Sequence, residues 1–187
     1  MALTRLGPNQ LINLTSNVTG TLPVANGGTA LTTGFVNGGV ITEVDQWRVP
    51  GEVNEASDAD VTSWERADDA SATYVGTGMS ESSGIFTFPS TGKWVIQASF
   101  YIIQSSDASA TVRTSVTQNN SSYDDFGFAN TNNSGNSTAP SICVVDVTDT
   151  ANVKVKFRTT SFASGTKIYG ETNNNYSVVL FMRVGDT

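Results

Sequence analysis

Two stretches of this chain repeat with a period of two. In KWVIQASFYII, Trp94, Ile96, Ala98, Phe100 and Ile102 share one side of an extended backbone; in NVKVKFRTT, Val153, Val155, Phe157 and Thr159 oppose Lys154, Lys156 and Arg158. A period of two is the strand period, and a helix would scatter the same residues around its circumference. Each segment therefore predicts a strand with one face in a core and the other toward water or a partner. ATVRTSVT, SICVVDV, TKIYG and YSVVLFMRV add further strands, while QNNSSYDD, NTNNSGNSTAP and ETNNN supply polar connections. Roughly eight or more short strands without helices predict an all-β antiparallel sandwich, for which a jelly roll is a common solution.

The 187 residues are enough for one domain and an appendage. The boundary falls near residue 40. No charge occurs between Arg5 and Glu43, and beyond that point Glu43, Asp45, Glu52, Glu55, Asp58, Asp60, Glu65, Asp68 and Asp69 follow closely. Residues 1–40 are rich in Gly, Thr and Asn and bury too little apolar surface to offset their own ordering entropy. Yet Leu22, Val24, Leu31, Phe35 and Val36 recur between NGG turns. Residues 1–40 are therefore expected to form an extended arm that orders against another protein, with residues 41–187 as the folded domain. A phosphate-cradling loop is excluded by chemistry, because no Lys-Ser/Thr follows the glycines and the GxGxxG spacing is absent. The acidic run 52–69 reads as a solvated loop with Trp64 as its anchor.

Charge and chemistry narrow the function. A net charge of -7 opposes nucleic-acid binding, which depends on Lys and Arg displacing counterions. No stretch approaches the ~18 to 20 apolar residues of a membrane span, and MALTRLGPNQ lacks an apolar signal core. Cys143 alternates with Val145 and Val147 and reads as a small buried hydrophobe. The chain has no histidine, which excludes Ser/His/Asp and Cys/His catalysis and the commonest metal ligand. The doublets Asp68-Asp69 and Asp124-Asp125 lie among turn-forming residues, and neighbours in an extended segment point apart, so they read as turn residues, with a cation site or glycosidase carboxylates as alternatives. No catalytic, cofactor or metal residue is expected. The basic stripe Lys154, Lys156 and Arg158 reads as a solvated or acid-paired sheet face, with an anionic-glycan site as the alternative. SYDDFGFANTNN, with Tyr123, Phe126 and Phe128, is expected to be a loop that contacts another molecule.

The order of these blocks resembles a known domain class. GIFTFPSTGKWVIQASF, ATVRTSVTQNN, SICVVDVTDTANVKVKF and YSVVLFMRV follow one another as in globular C1q/tumour-necrosis-factor-like domains, over about residues 84 to 185. Trp94 stands where that class usually has Tyr or Phe, and no G-X-Y collagen stalk precedes the domain. Instead GTLPVANGGTA resembles segments of bacteriophage fibre and virion proteins, especially those of marine phages. The resemblance implies a C1q-like jelly roll that forms a homotrimer, one sheet of each subunit packing around a threefold axis. Tyr101, Ile103, Val179 and Phe181 are then the expected interface residues, opposite their core-facing neighbours. It further implies a non-enzymatic virion protein, made in the host cytoplasm and held on the particle by its arm to capsid or tail proteins. A fibre tip that recognises a host surface glycan is the alternative, and a Ca²⁺ ion on the trimer axis is compatible with the resemblance.

Overall fold

The computed structural model describes residues 41–53, 57–69, 72–105, 109–132 and 135–187. The expected arm contacts Leu22, Val24, Leu31, Phe35 and Val36 lie outside the described residues. The strands are β1 (Val44–Arg48), β2 (Glu65–Arg66), β3 (Ser80–Ser82), β4 (Ile85–Thr87), β5 (Gly92–Gln104), β6 (Ala110–Thr117), β7 (Tyr123–Thr131), β8 (Gly135–Val147), β9 (Lys154–Thr160), β10 (Lys167–Tyr169) and β11 (Val178–Gly185).

They pair antiparallel into two sheets. In the first, β5 pairs with β8 along its whole length, while its other edge pairs with β11 through Lys93–Ser99 and with β10 through Tyr101–Ile103. β11 passes the pairing on to β1, and β1 to β2. The second sheet runs β3-β4-β9-β6-β7. The chain crosses between sheets after β2, β4, β5, β7, β8 and β9, the connectivity that wraps a jelly roll. β8 is an edge strand, which accommodates Pro140 and its missing ladder donor. Between β3 and β4 the turn residues Ser83 (φ 53°) and Gly84 (φ 84°) are both left-handed, the two-residue geometry that matches strand twist. A side chain at Gly84 would meet the Val61 carbonyl at 2.6 Å, so glycine is required there for space as well.

The alternation of β5 is borne out: Trp94, Ile96, Ala98, Phe100 and Ile102 are all buried in the core between the sheets. Val153, Val155, Phe157 and Thr159 face it from β9 and the turn before it. Phe86 on β4 is the hub of the core, in ring contact with Trp47, Trp64, Phe157 and Phe181 at centroid distances of 5.4, 5.3, 5.9 and 5.1 Å. Trp64 anchors the acidic stretch as expected, touching Phe86, Phe100 and Phe157 while its indole N–H donates to the Val61 carbonyl at 2.8 Å.

Three expectations are corrected. Val179 and Phe181 do not face outward; both are fully buried, because β11 registers Val179 against Ala98 and Phe181 against Ile96. The segment holding Tyr123, Phe126 and Phe128 is no loop but strand β7, and β8 begins at Gly135, inside the expected polar connection. The acidic run 52–69 is not simply solvated, since Glu65 belongs to β2 and meets, with Asp68 and Asp69, a buried arginine.

Candidate functional site

Pairing across the first sheet defines what its outer face presents. Residues opposite one another in an antiparallel pair share a face. Three rows therefore cross from β8 through β5 to β11: Val144, Val95, Met182; Ile142, Gln97, Leu180; and Pro140, Ser99, Val178. Tyr101 and Ile103 continue the same face toward β10, where Tyr101, Tyr169 and Tyr176 pack edge to face at 4.8 to 5.7 Å between centroids. The outward residues of β11 are thus Val178, Leu180 and Met182, all half-buried, in place of Val179 and Phe181. Ile142 and Val144 are 66% and 57% exposed. A strand face that meets only water would carry polar residues here.

The apolar surface continues round the edge of the sandwich. Phe126 and Phe128 on β7 are 50% and 56% exposed, and with Gly127, Pro140, Ser141, Ile142 and Gln97 they line a groove of about 470 Å³. Tyr123, the third residue of the expected contact set, lies apart from it, half-buried, with Lys156 Nζ 4.4 Å above its ring. Burial raises the Tyr123 phenol above its ordinary range, and the charge of Asp60 adds to that.

Beside the outer face sits an ionic cluster that the sequence does not announce. Arg48, opposite Val178, is fully buried. Its Nε and Nη2 donate to Glu65 Oε1 at 2.9 and 2.6 Å, Nη2 also to Asp68 Oδ1 at 2.7 Å, and Nη1 to Asp69 Oδ2. Thr172 Oγ1 lies 2.9 Å from both Glu65 oxygens. Desolvation pulls the guanidinium pKa down, but the hydrogen bonds and charges of Glu65 and Asp69 outweigh it and raise it, so Arg48 stays charged. On the core side of β1, buried Asp45 accepts from Gln46 N, Met79 N, Trp47 Nε1 and the Arg66 guanidinium at 2.7 to 3.2 Å. These two carboxylate-cation knots fix β2, Asp68, Asp69 and Met79 to β1.

The remaining candidates resolve without a reactive constellation. Cys143 is half-buried and packed against the core, and burial pushes its thiol up to about 11, so it is protonated and unreactive near neutral pH. Asp125 accepts from Ser115 Oγ at 2.6 Å and from Arg113 at 2.8 Å on the face of the second sheet. Asp124 is exposed on the edge strand. Among the described residues no group of His, Cys, Asp or Glu side chains is arranged to hold a metal.

No protein-family model matches the chain, and no curated protein does. Solved structures do. Murine APRIL, in a crystal structure at pH 8.5, is similar over 75% of this chain and 98% of its own, with a TM-score of 0.58 and 9% identity. An Eiger TNF from S. frugiperda is similar over 79% and 96%, with a TM-score of 0.61 and 13% identity. Identity this low speaks for backbone architecture alone. The chain is an antiparallel β-sandwich with the jelly-roll fold of these TNF-type domains.

Proposed function

We propose that the chain is a non-enzymatic structural module, a homotrimer whose jelly roll decorates or extends a virion and whose first ~40 residues tie it to the particle. The observation that carries the self-association is that the first sheet is apolar on both faces. Its inner face is the core, and its outer face repeats Val95, Val178, Leu180, Met182, Ile142 and Val144 where a solvated strand would place polar groups.

Two different surfaces are available, the broad face over β5 and β11 and the grooved edge formed by β7 and β8. When the edge of one subunit packs on the face of the next, the contact is heterologous, and such contacts form a ring when the rotation between subunits closes. A threefold ring agrees with the C1q/TNF-like order of the sequence blocks. Placement on a virion rests on the arm: its likeness to phage fibre segments, and an apolar content that calls for a protein surface to lie on.

Two experiments test the reading. Leu180→Asp puts a charge at the middle of the outer face, where the isolated subunit leaves it in water, so the variant is expected to keep its β circular dichroism while its mass falls to that of one chain. A variant that stays trimeric would move the interface elsewhere. Deleting residues 2–40 is expected to leave a folded trimer that no longer joins particles, as read by co-sedimentation. Particles that still take up the truncated protein would refute the anchoring role.

A further inference from the structure

The outer face of the second sheet gathers four of the chain's ten Lys and Arg residues, although the chain as a whole carries -7. Lys154, Lys156 and Arg158 alternate along β9, so that the first and last lie about 13 Å apart at the rise of a strand. Arg113 on β6 stands directly opposite Arg158. Like charges opposed across a strand pair repel, so something must compensate them.

The compensation within the chain is partial. Arg113 donates from Nη1 to Asp125 Oδ2 at 2.8 Å and from Nη2 to Thr160 Oγ1 at 3.1 Å, but its Nε–H, shielded from water, has no hydrogen-bond partner among the described residues. Arg158 Nε lies 3.0 Å from Asp60 Oδ1 without hydrogen-bond alignment, while its Nη2 donates to the Asp58 carbonyl. Asp60 is shared, because its other oxygen takes Lys156 Nζ at 2.9 Å. Lys154 Nζ donates to neutral oxygens, Thr87 Oγ1 at 3.1 Å and the Thr150 carbonyl at 2.7 Å. One carboxylate thus serves two cations, and a third cation meets dipoles alone.

We propose that this face binds an acidic polysaccharide, a sulfated or carboxylated glycan lying along β9. One anionic group sits between Arg113 and Arg158 and another at Lys154. Guanidinium forks match the planar oxygens of carboxylate or sulfate, and an anion between the two arginines relieves their repulsion. The surface is an open sheet face rather than a pocket, which suits an extended polymer and not a small ligand. Nucleic acid fits less well: a duplex carries one charge per ~1.7 Å, and so dense a row would also meet Asp58, Asp60 and Asp125 among the cations. A polysaccharide with sparser anions can meet the cations and pass over the acids. The cations lie away from the β5–β11 face, although β7, whose Phe128 stands opposite Arg113, also borders the groove of the proposed subunit contact.

The test is binding of the full chain to immobilised chondroitin sulfate at low and physiological salt, with neutral dextran and a DNA duplex as comparisons. Chondroitin sulfate should be held and neutral dextran should not. Joint Arg113→Gln and Arg158→Gln substitution should weaken binding about tenfold or more, the scale of one lost charge-assisted contact. Lys154→Gln, which leaves the arginine pairs intact and guards against a folding defect, should weaken it by a smaller factor. Lys93→Gln, on the other sheet, should change nothing. Equal binding by the Arg113/Arg158 and Lys154 variants, tighter binding of the duplex, or no retention of the wild type at low salt would each overturn the proposal.

Discussion

Replacing Phe86 by alanine is expected to lower the thermal midpoint of the domain by roughly 6 to 20 °C, the product of about 3 to 5 kcal/mol for a buried Phe→Ala change and about 2 to 4 °C per kcal/mol at this size. Phe86 is fully buried on a three-residue strand, yet its ring touches Trp47, Trp64, Phe157 and Phe181. Those four rings arrive from both sheets and from the acidic stretch, so a cavity at Phe86 cannot close by moving one neighbour. Calorimetry or thermal circular dichroism reads the shift. A change below about 3 °C would mean that the aromatic cluster relaxes freely and is not the joint between the sheets.

The second large effect is expected at Arg48. Arg48→Ala should cost about 3 to 5 kcal/mol, because removing one partner of a buried ionic group leaves the others uncompensated. Asp68 is 77% exposed and contributes little, so Glu65 and Asp69 carry the penalty. Arg48→Lys should recover only part of it, since one ammonium cannot reproduce the fork that reaches three carboxylates. Urea denaturation measures both variants. If Arg48→Ala and Glu65→Ala are equally mild, the cluster is a surface decoration and the 65–69 segment is held by Trp64 and the Asp45–Arg66 knot.

How far the sequence reveals this molecule depends on how one-sided each strand is. In β5 the polar residues Lys93, Gln97 and Ser99 mark the outer face, so the alternation names the core directly. In β11 both phases are apolar: Val178, Leu180 and Met182 alternate with Val179 and Phe181, and the side that goes inward is decided by pairing with Ala98 and Ile96, a contact some eighty residues away. That is why Val179 and Phe181 were expected at the subunit contact and are found in the core. The same two-faced composition was nevertheless the correct sign that the outer face is apolar.

β7 hides for a different reason. YDDFGFANT carries Asp, Gly and Asn, which read as a turn, but at a sheet edge such residues are tolerated and charges discourage unwanted pairing. Arg48 was invisible because its carboxylates come 17 to 21 positions later, in a run that composition alone classes as solvated. Arginine in a strand ordinarily points to water, and only the chain path over β1 and β2 encloses this one.

The claim on which the rest depends is self-association through the outer face of the first sheet. Light scattering coupled to size exclusion, on the full chain at micromolar concentration and physiological salt, tests it most directly. The account predicts a single species of three chains that Leu180→Asp converts to one. A wild-type mass of one chain would contradict it.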